Sequence, residues 1–486
     1  MAEVLPAGQS AAAPGATPPA AGEAPWPRPA QAWWAVAVFA LALMFNFLDR
    51  GVIGLLVPPI EHDLHLSDTQ IALLMGPAFI IFYVVLGLPI ARLVDSRSRR
   101  AIISVGIVLW SLLTACCGLA RTFGSFFLCR IGVGVGEACN GPATYSMLAD
   151  LFPKERLARA VSVMQFGFVA GNGIATILAG AVIAFVSTVD VVHVPLIGAL
   201  RPWQATFLAV GLPGLIIAVL FSTVIEPPRR GLMTQARGVA ATGAAASEAP
   251  ASGVAPSAAP APRQGAIPIR EVVRFIRANR TTYAPMFFSL ALQSIVTFGI
   301  LNWAATFFVR TYGWTIPQFA YTNGLLQLLL FPIMLIPGSL LAEHWARQGR
   351  DDANMRVTLL SSVLYAPTAV ALGLMPSAPL AMACLGVGYL VSALQFGPIN
   401  AAIQSVTPNE MRGQVTALYL FIFNTFGTGL APLAIGLVTD HVIGSEAKLG
   451  LSIALTAAVL EPLVLLIMWA GLKPYARSIA RARAWS

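Results

Sequence analysis

The chain has 486 residues, of which 57% are hydrophobic and only 10% charged, with a mean hydropathy of +0.76. Soluble domains carry about a quarter charged residues, so an ordinary soluble protein is excluded and most of the chain reads as membrane-embedded. The net charge of +9 would point to nucleic acid in a soluble protein, but in a membrane protein it reflects basic inner loops, and no nucleic-acid partner is expected.

Residues 1–31, dominated by Ala, Pro, Gly and Glu, lack the basic start and apolar core of a secretory signal and read as a disordered tail on the inner side. From there on, apolar runs near 20 residues recur, long enough at about 1.5 Å per residue to cross a hydrocarbon core of about 30 Å. Six spans are predicted at 32–57, 69–93, 100–120, 125–149, 157–186 and 204–225, forming a first bundle over 32–225. Six more, at 283–309, 318–342, 356–375, 380–405, 414–440 and 450–472, form a second bundle over 283–472. The expected fold is therefore an all-α membrane protein of twelve transmembrane helices in two six-helix repeats.

The bundles are joined by an inner linker, 226–282, whose first part is rich in Ala, Pro, Gly and Ser. Its last part, Ile267 to Arg280, spaces Ile269, Val272, Val273 and Ile276 at helical intervals between arginines, as an amphipathic helix on the membrane surface does. Residues 473–486 are expected to be an inner tail. Basic residues set the orientation. Arg121, Arg201, Arg310 and Lys448 alone fall on the outer loops and Arg50 and Arg130 within spans, so all the other Lys and Arg gather on the inner side with both termini.

Membrane charges are the residues most indicative of function, because a charge in hydrocarbon costs several kcal/mol unless it is paired or faces water. The first helix carries Asp49 and Arg50, and the fourth carries Arg130 and Glu137. By helical rise, Asp49 lies about 25 Å above the inner face and Arg130 about 8 Å below the outer one, levels that permit an ion pair. Glu137 follows Arg130 by two turns on the same face and is the expected proton-binding carboxylate. Arg50 is expected at the outer rim. The alternative is a fixed structural network that never titrates.

Several further positions complete this reading. The glycine-rich run Gly167–Gly180 is expected to pack the fifth helix against the second half. Asn302, Trp303, Tyr389, Gln395, Asn400 and Asn424 are candidates for lining a mildly polar, aromatic cavity. Glu461, beside Pro462, is a membrane carboxylate with no assigned role beyond that of an alternative proton site. Cys116, Cys117, Cys129, Cys139 and Cys384 sit in apolar stretches without metal-ligand spacing and read as small buried residues. Without a Walker lysine or a nucleophile set, neither an enzyme nor a cofactor is implied.

After the second span, GLPIARLVDSRSRR (Gly87 to Arg100) resembles the signature loop of the major facilitator superfamily, with Ala91, Ser96, Arg97 and Ser98 departing from its usual form. The resemblance implies that Asp95, Arg99 and Arg100 serve as a charge latch between the halves on the cytoplasmic side. Glu343, in GSLLAEHWARQGR (Gly338 to Arg350), stands at the matching place in the second repeat. NFLDR (Asn46 to Arg50), RIGVGVGEA (Arg130 to Ala138) and ADLFPKERLARA (Ala149 to Ala160) narrow the resemblance to the spinster-like branch. That branch implies a coupling role for Asp49, Arg130 and Glu137, and its animal members export lysolipids.

The expectation is thus a proton-coupled secondary transporter, monomeric in the bacterial inner membrane. It would move a small or amphiphilic solute, such as a lysolipid or organic anion, by alternating access. The alternatives are an uncoupled uniporter or exchanger of an amphiphile and a non-transporting receptor or scaffold.

Overall fold

A computed structural model describes residues 26–189, 191–194, 198–229, 268–408 and 410–482. The expected tail over 1–31 and the first part of the linker fall largely outside these residues.

Proline and glycine decide where the helices start and break. Pro29 opens α1 (Pro29–Leu55), and Pro58 and Pro59 sit in the first turn of the short α2 (Val57–Leu64). Ser67 caps α3 (Asp68–Met75) through a reciprocal box with Gln70, and the pair Gly76–Pro77 then breaks the second span, which resumes as α4 (Pro77–Ser96). Next come α5 (Arg99–Cys117), capped by Ser98, and the fourth span, which is interrupted at Ala138 and Cys139 into α6 (Phe123–Glu137) and α7 (Asn140–Leu151). The 33-residue α8 (Lys154–Val186) leads into a hairpin of β1 (Val192–Val194) and β2 (Gly198–Leu200) that the sequence reading did not foresee. α9 (Pro202–Gly211) and α10 (Pro213–Ser222) complete the first half.

The linker helix exists as α11 (Ile269–Ala278); Val272 is buried beside Tyr283 and Met286, and Ile269 stays exposed. The second half runs through α12 (Arg280–Tyr312), α13 (Ile316–Ile333), α14 (Leu335–Arg347), α15 (Ala353–Leu372), α16 (Ala378–Ala393) and α17 (Phe396–Ser405). α18 (Arg412–Asn424) and α19 (Ala431–Leu437) follow, joined by one π-helical segment, Thr425–Leu430, and followed by another, Val438–Ile443. The last helix, α20 (Leu449–Ala482), runs ten residues past the expected boundary at 472, and it buries Tyr475.

Ten helices among the described residues are long and apolar enough to cross a membrane. The two predicted spans that are not among these ten are the fourth, cut into pieces of 15 and 12 residues, and the fifth, of which Gly171–Val186 counts as a shorter apolar helix within α8. Large apolar side chains such as Leu128, Phe185, Val219, Ile336 and Trp469 are more than 60% exposed, a surface that suits lipid and not water.

Three apolar clusters show how the halves meet. One belongs to the first half, around Phe39, Trp110 and Phe221, and one to the second, around Met286, Val415 and Tyr475. The third is joint, bringing Leu48 and Val52 of α1 together with Val296, Ile300 and Trp303 of α12. Backbones approach closely where glycines face each other. A Cβ on Gly173 of α8 would stand 2.7 Å from the carbonyl oxygen of Gly324 in α13, and one on Gly76 would collide with the carbonyl of Gly429. The glycine-rich fifth helix thus packs against the second half as expected.

Candidate functional site

The first half holds a buried group of four charges. Asp49, Arg130 and Glu137 are at most 2% exposed, although Asp49 comes from α1 and the other two from α6. Arg50 donates to Oε2 of Glu137 through Nη2 at 2.6 Å and Nε at 2.8 Å, with its guanidinium 4.4 Å from the Phe79 ring centroid and 5.4 Å from that of Tyr83. Arg130 lies 5.7 Å from the same Phe79 ring and donates through Nε to the carbonyl of Leu74 at 3.2 Å. The break at Gly76–Pro77 releases that carbonyl from its helix. Asp49 accepts from the Thr114 hydroxyl at 3.3 Å.

This corrects the expected pairing. The ion pair of the group is Arg50–Glu137, not Asp49–Arg130, and Arg50 is part of the site instead of a rim charge. Helical rise fixes depth but not rotation, and the long arginine side chain crosses from α1 to α6, a reach the short Asp49 lacks. Oδ1 of Asp49, Nη1 of Arg130 and Oε1 of Glu137 are buried without a hydrogen-bond partner among the described residues.

A second cluster ties the halves together at the end predicted to be outer. Arg310, from the end of α12, donates to Oδ2 of Asp68 at 3.0 Å, to Oδ1 of Asp68 at 2.8 Å and to Glu61, and it reaches the carbonyl of Glu446 at 3.3 Å. Next to it, the N–H of Thr69 donates to Asp440 at 2.8 Å. Burial first, and then the hydrogen bond with Asp68, push the Glu61 carboxyl up to about 9 against the pull of Arg310. Arg310 cannot offset the burial, since two enclosed carboxylates share its one guanidinium.

At the opposite end, the signature-loop residues bond within the first half and to the start of the linker. Arg99, 1% exposed, donates to Glu226 at 3.0 Å, to Asp150, to the Ser146 carbonyl at 3.2 Å and to the Pro227 carbonyl at 2.7 Å. Glu226 also accepts from the N–H of Arg100 at 2.7 Å and from Ser98 at 2.9 Å, capping α5. Burial works to raise this carboxyl, but these donors hold it below its ordinary value. Arg100 itself reaches the carbonyls of Ser222 and Val224. Glu343 pairs with Arg347, one turn along its own exposed helix. In this conformation Arg99, Arg100 and Glu343 therefore do not latch the halves; the side chain of Asp95, in α4, lies outside the described residues. With a joint core and, among the described residues, cross-half ion pairs at the end predicted to be outer, the halves are closed there.

The profile of the Major Facilitator Superfamily matches residues 39–432. The chain belongs to this superfamily. It is 26% identical over 454 residues to an MFS-type efflux pump of Mycolicibacterium smegmatis, covering 93% of this chain and 95% of that one. It is also 30% identical over 197 residues to protein spinster homolog 1 of Bos taurus, 40% of this chain and 34% of the relative. A solved bacterial homolog of the human lysosomal transporter Spinster, inward-facing and unoccupied, superposes with a TM-score of 0.72 at 22% identity, covering 94% of this chain and 99% of that one. The chain is thus a superfamily member and a multi-pass membrane protein, with similarity to spinster proteins over part of its length. It works as a secondary transporter of a small or amphiphilic solute by alternating access, not as an enzyme.

The cavity candidates divide within this transporter frame. Trp303 is fully buried in the joint core, its indole donating to the Pro432 carbonyl at 3.0 Å, so it packs and does not line. Asn302, Asn400 and Asn424 each donate at 2.8 Å to the carbonyl one turn back. Tyr389 donates to Asn323 at 2.8 Å and accepts from Gln327 at 3.2 Å, while Oε1 of Gln395 is buried without a partner. Sequence reasoning missed the Glu61–Asp68–Arg310 cluster because it counted outer bases and not the acids beside them.

Proposed function

We propose that this transporter is proton-coupled, that Asp49 takes the proton and that Arg130 meets an anionic headgroup of the solute. The observation that carries this reading is the asymmetry of the charged group. Arg50 and Glu137 form an ion pair, whereas Asp49 and Arg130, each with a buried polar atom left over as Glu137 also has, form none among the described residues. Protonating Asp49 turns a balanced set of two cations and two anions into a net positive one, which binds an anion. Glu137 then keeps Arg50 in place and does not carry the proton itself.

The solute is read as an amphiphile with an anionic head, such as a lysolipid or an organic acid with an apolar tail. The buried guanidinium of Arg130, with Nη1 unpartnered, supports the anionic head, and similarity to an efflux pump over most of the chain and to spinster proteins over part of it supports transport. The remaining features belong to the same reading: twelve crossings in two six-helix repeats, the fourth built from α6 and α7 and the fifth from α8. Both termini lie inside, in the plasma membrane of a bacterium, the closed end faces outward, and the protein acts as a monomer. Asp95, Arg99, Arg100 and Glu343 act at the inner end when it closes.

Thermal shift of the purified protein against lysolipids, fatty acids, small organic acids and sugars at two pH values tests this. A ligand at a hundredfold excess over Kd stabilises the folded state by about 2.7 kcal/mol. Stabilisation by anionic amphiphiles, stronger at the lower pH, is expected. Stabilisation by sugars alone would overturn the substrate class.

A further inference from the structure

The second half contains a carboxyl group that the coupling site does not use. Glu461 of α20 is fully buried and accepts one hydrogen bond, from Nε2 of Gln293 on α12, at 2.9 Å. Its other oxygen, Oε2, is buried without a donor, and so is Oε1 of Gln293, itself 3% exposed. A paired acid and amide thus present two orphan acceptors.

Among the described residues, no cation pairs with the carboxylate. On the helices packed against α20, Tyr365 of α15 is the titratable side chain that interacts with Glu461 electrostatically. Arg280 and Arg310 sit at the two ends of α12, roughly 20 and 25 Å along the helix from Gln293, and Arg356 is about 14 Å along α15 from Tyr365. Asp440, His441, Glu446 and Lys448 belong to the segments before or at the start of α20, roughly 18 Å or more from Glu461. An ionised, unpaired carboxylate enclosed in this way carries a large desolvation cost.

We propose that Glu461 and Gln293 form a closed acid–amide pair that holds one proton, a second proton-binding site in the half opposite Asp49. A single proton on Oε2 supplies the missing donor for Oε1 of Gln293 and removes the buried charge, so one hydrogen satisfies both orphan atoms. Turning the Gln293 amide over would set two oxygens face to face, and the proton would again be required. The site does not depend on the coupling role of Asp49. It places a neutral, proton-bearing group on α12 and α20, two helices packed together in the second half.

Infrared difference spectroscopy of the full-length protein in lipid nanodiscs, wild type against Glu461→Gln, tests the proposal. At neutral pH the expected difference is the loss of one protonated-carboxyl C=O band that shifts in D2O, while Gln293→Leu moves the band to higher frequency because the acid loses its partner. The band persists in Asp49→Asn, which separates this site from the coupling group. Glu461→Gln, able to form an amide–amide pair, keeps the wild-type Tm within a few degrees, and Glu461→Ala does not. Loss of a carboxylate band in place of an acid band at neutral pH would overturn the proposal, as would disappearance of the acid band when sodium replaces potassium.

Discussion

Arg310 grips Asp68 with both terminal nitrogens, at 3.0 and 2.8 Å, although the two residues are 242 positions apart and belong to opposite halves of the chain. With Glu61 on the same guanidinium, this contact fastens the closed end. Removing one partner of a buried ion pair costs about 3–5 kcal/mol, and slight exposure of Arg310 places it at the lower end. Arg310→Ala should therefore shift the population toward the open end roughly a hundredfold. Distances between spin labels at the exposed positions His62 and Lys448 should lengthen in the variant, and unchanged distances would remove the gate role.

The same cluster gives this end a pH dependence. In the closed state Glu61 titrates near 9, and when opening exposes it the carboxyl returns to its ordinary value near 4.3. The closed state thus binds the additional proton, so its stabilisation is full below about 4.3 and is lost as pH rises through about 9. Alkaline medium at this face should favour opening, and Glu61→Gln should flatten that response in a pH titration of the same distances.

Close glycine approach makes a steric prediction. A side chain at Gly76 runs into the Gly429 backbone, whereas a Cβ at Gly87 meets nothing within 4 Å. Gly76→Val, with an overpacking cost of about 1–3 kcal/mol, should hold the halves apart and abolish solute transport, and Gly87→Ala should transport normally. Equal transport by the two would mean that this contact does not limit closure.

Glu226 should matter for stability and not for coupling. It caps α5 and receives Ser98, Arg99 and Arg100, so Glu226→Ala should lower stability by about 1–2 kcal/mol, read as a drop of a few degrees in Tm. Because its donors hold the carboxyl below the ordinary value, this contribution is present above about pH 4.3 and is lost as pH falls through the lowered one. A Tm difference between wild type and variant that does not shrink as pH falls from neutral into the acid range would contradict this.

Much of the fold was legible because membrane crossing is a one-dimensional property: length and hydropathy mark the spans, and the loop arginines order them. The site was legible in composition only. Asp49, Arg130 and Glu137 stood out as charges in hydrocarbon, but which carboxylate meets which arginine depends on helix rotation and on the breaks at Gly76 and after Glu137, neither of which spacing encodes. Trp303 illustrates the same limit, since an aromatic near the middle of a span can face a cavity or a core. Arg310 was visible only as a loop charge because its partners, Glu61 and Asp68, come from the other half.

The most direct test of proton coupling compares two transport modes of Asp49→Asn in proteoliposomes loaded with the amphiphile found by thermal shift. Exchange of solute at equal pH should survive, because Arg130 and the Arg50–Glu137 pair remain, while accumulation driven by a pH gradient should vanish. Gradient-driven accumulation by Asp49→Asn at the wild-type rate would contradict the assignment.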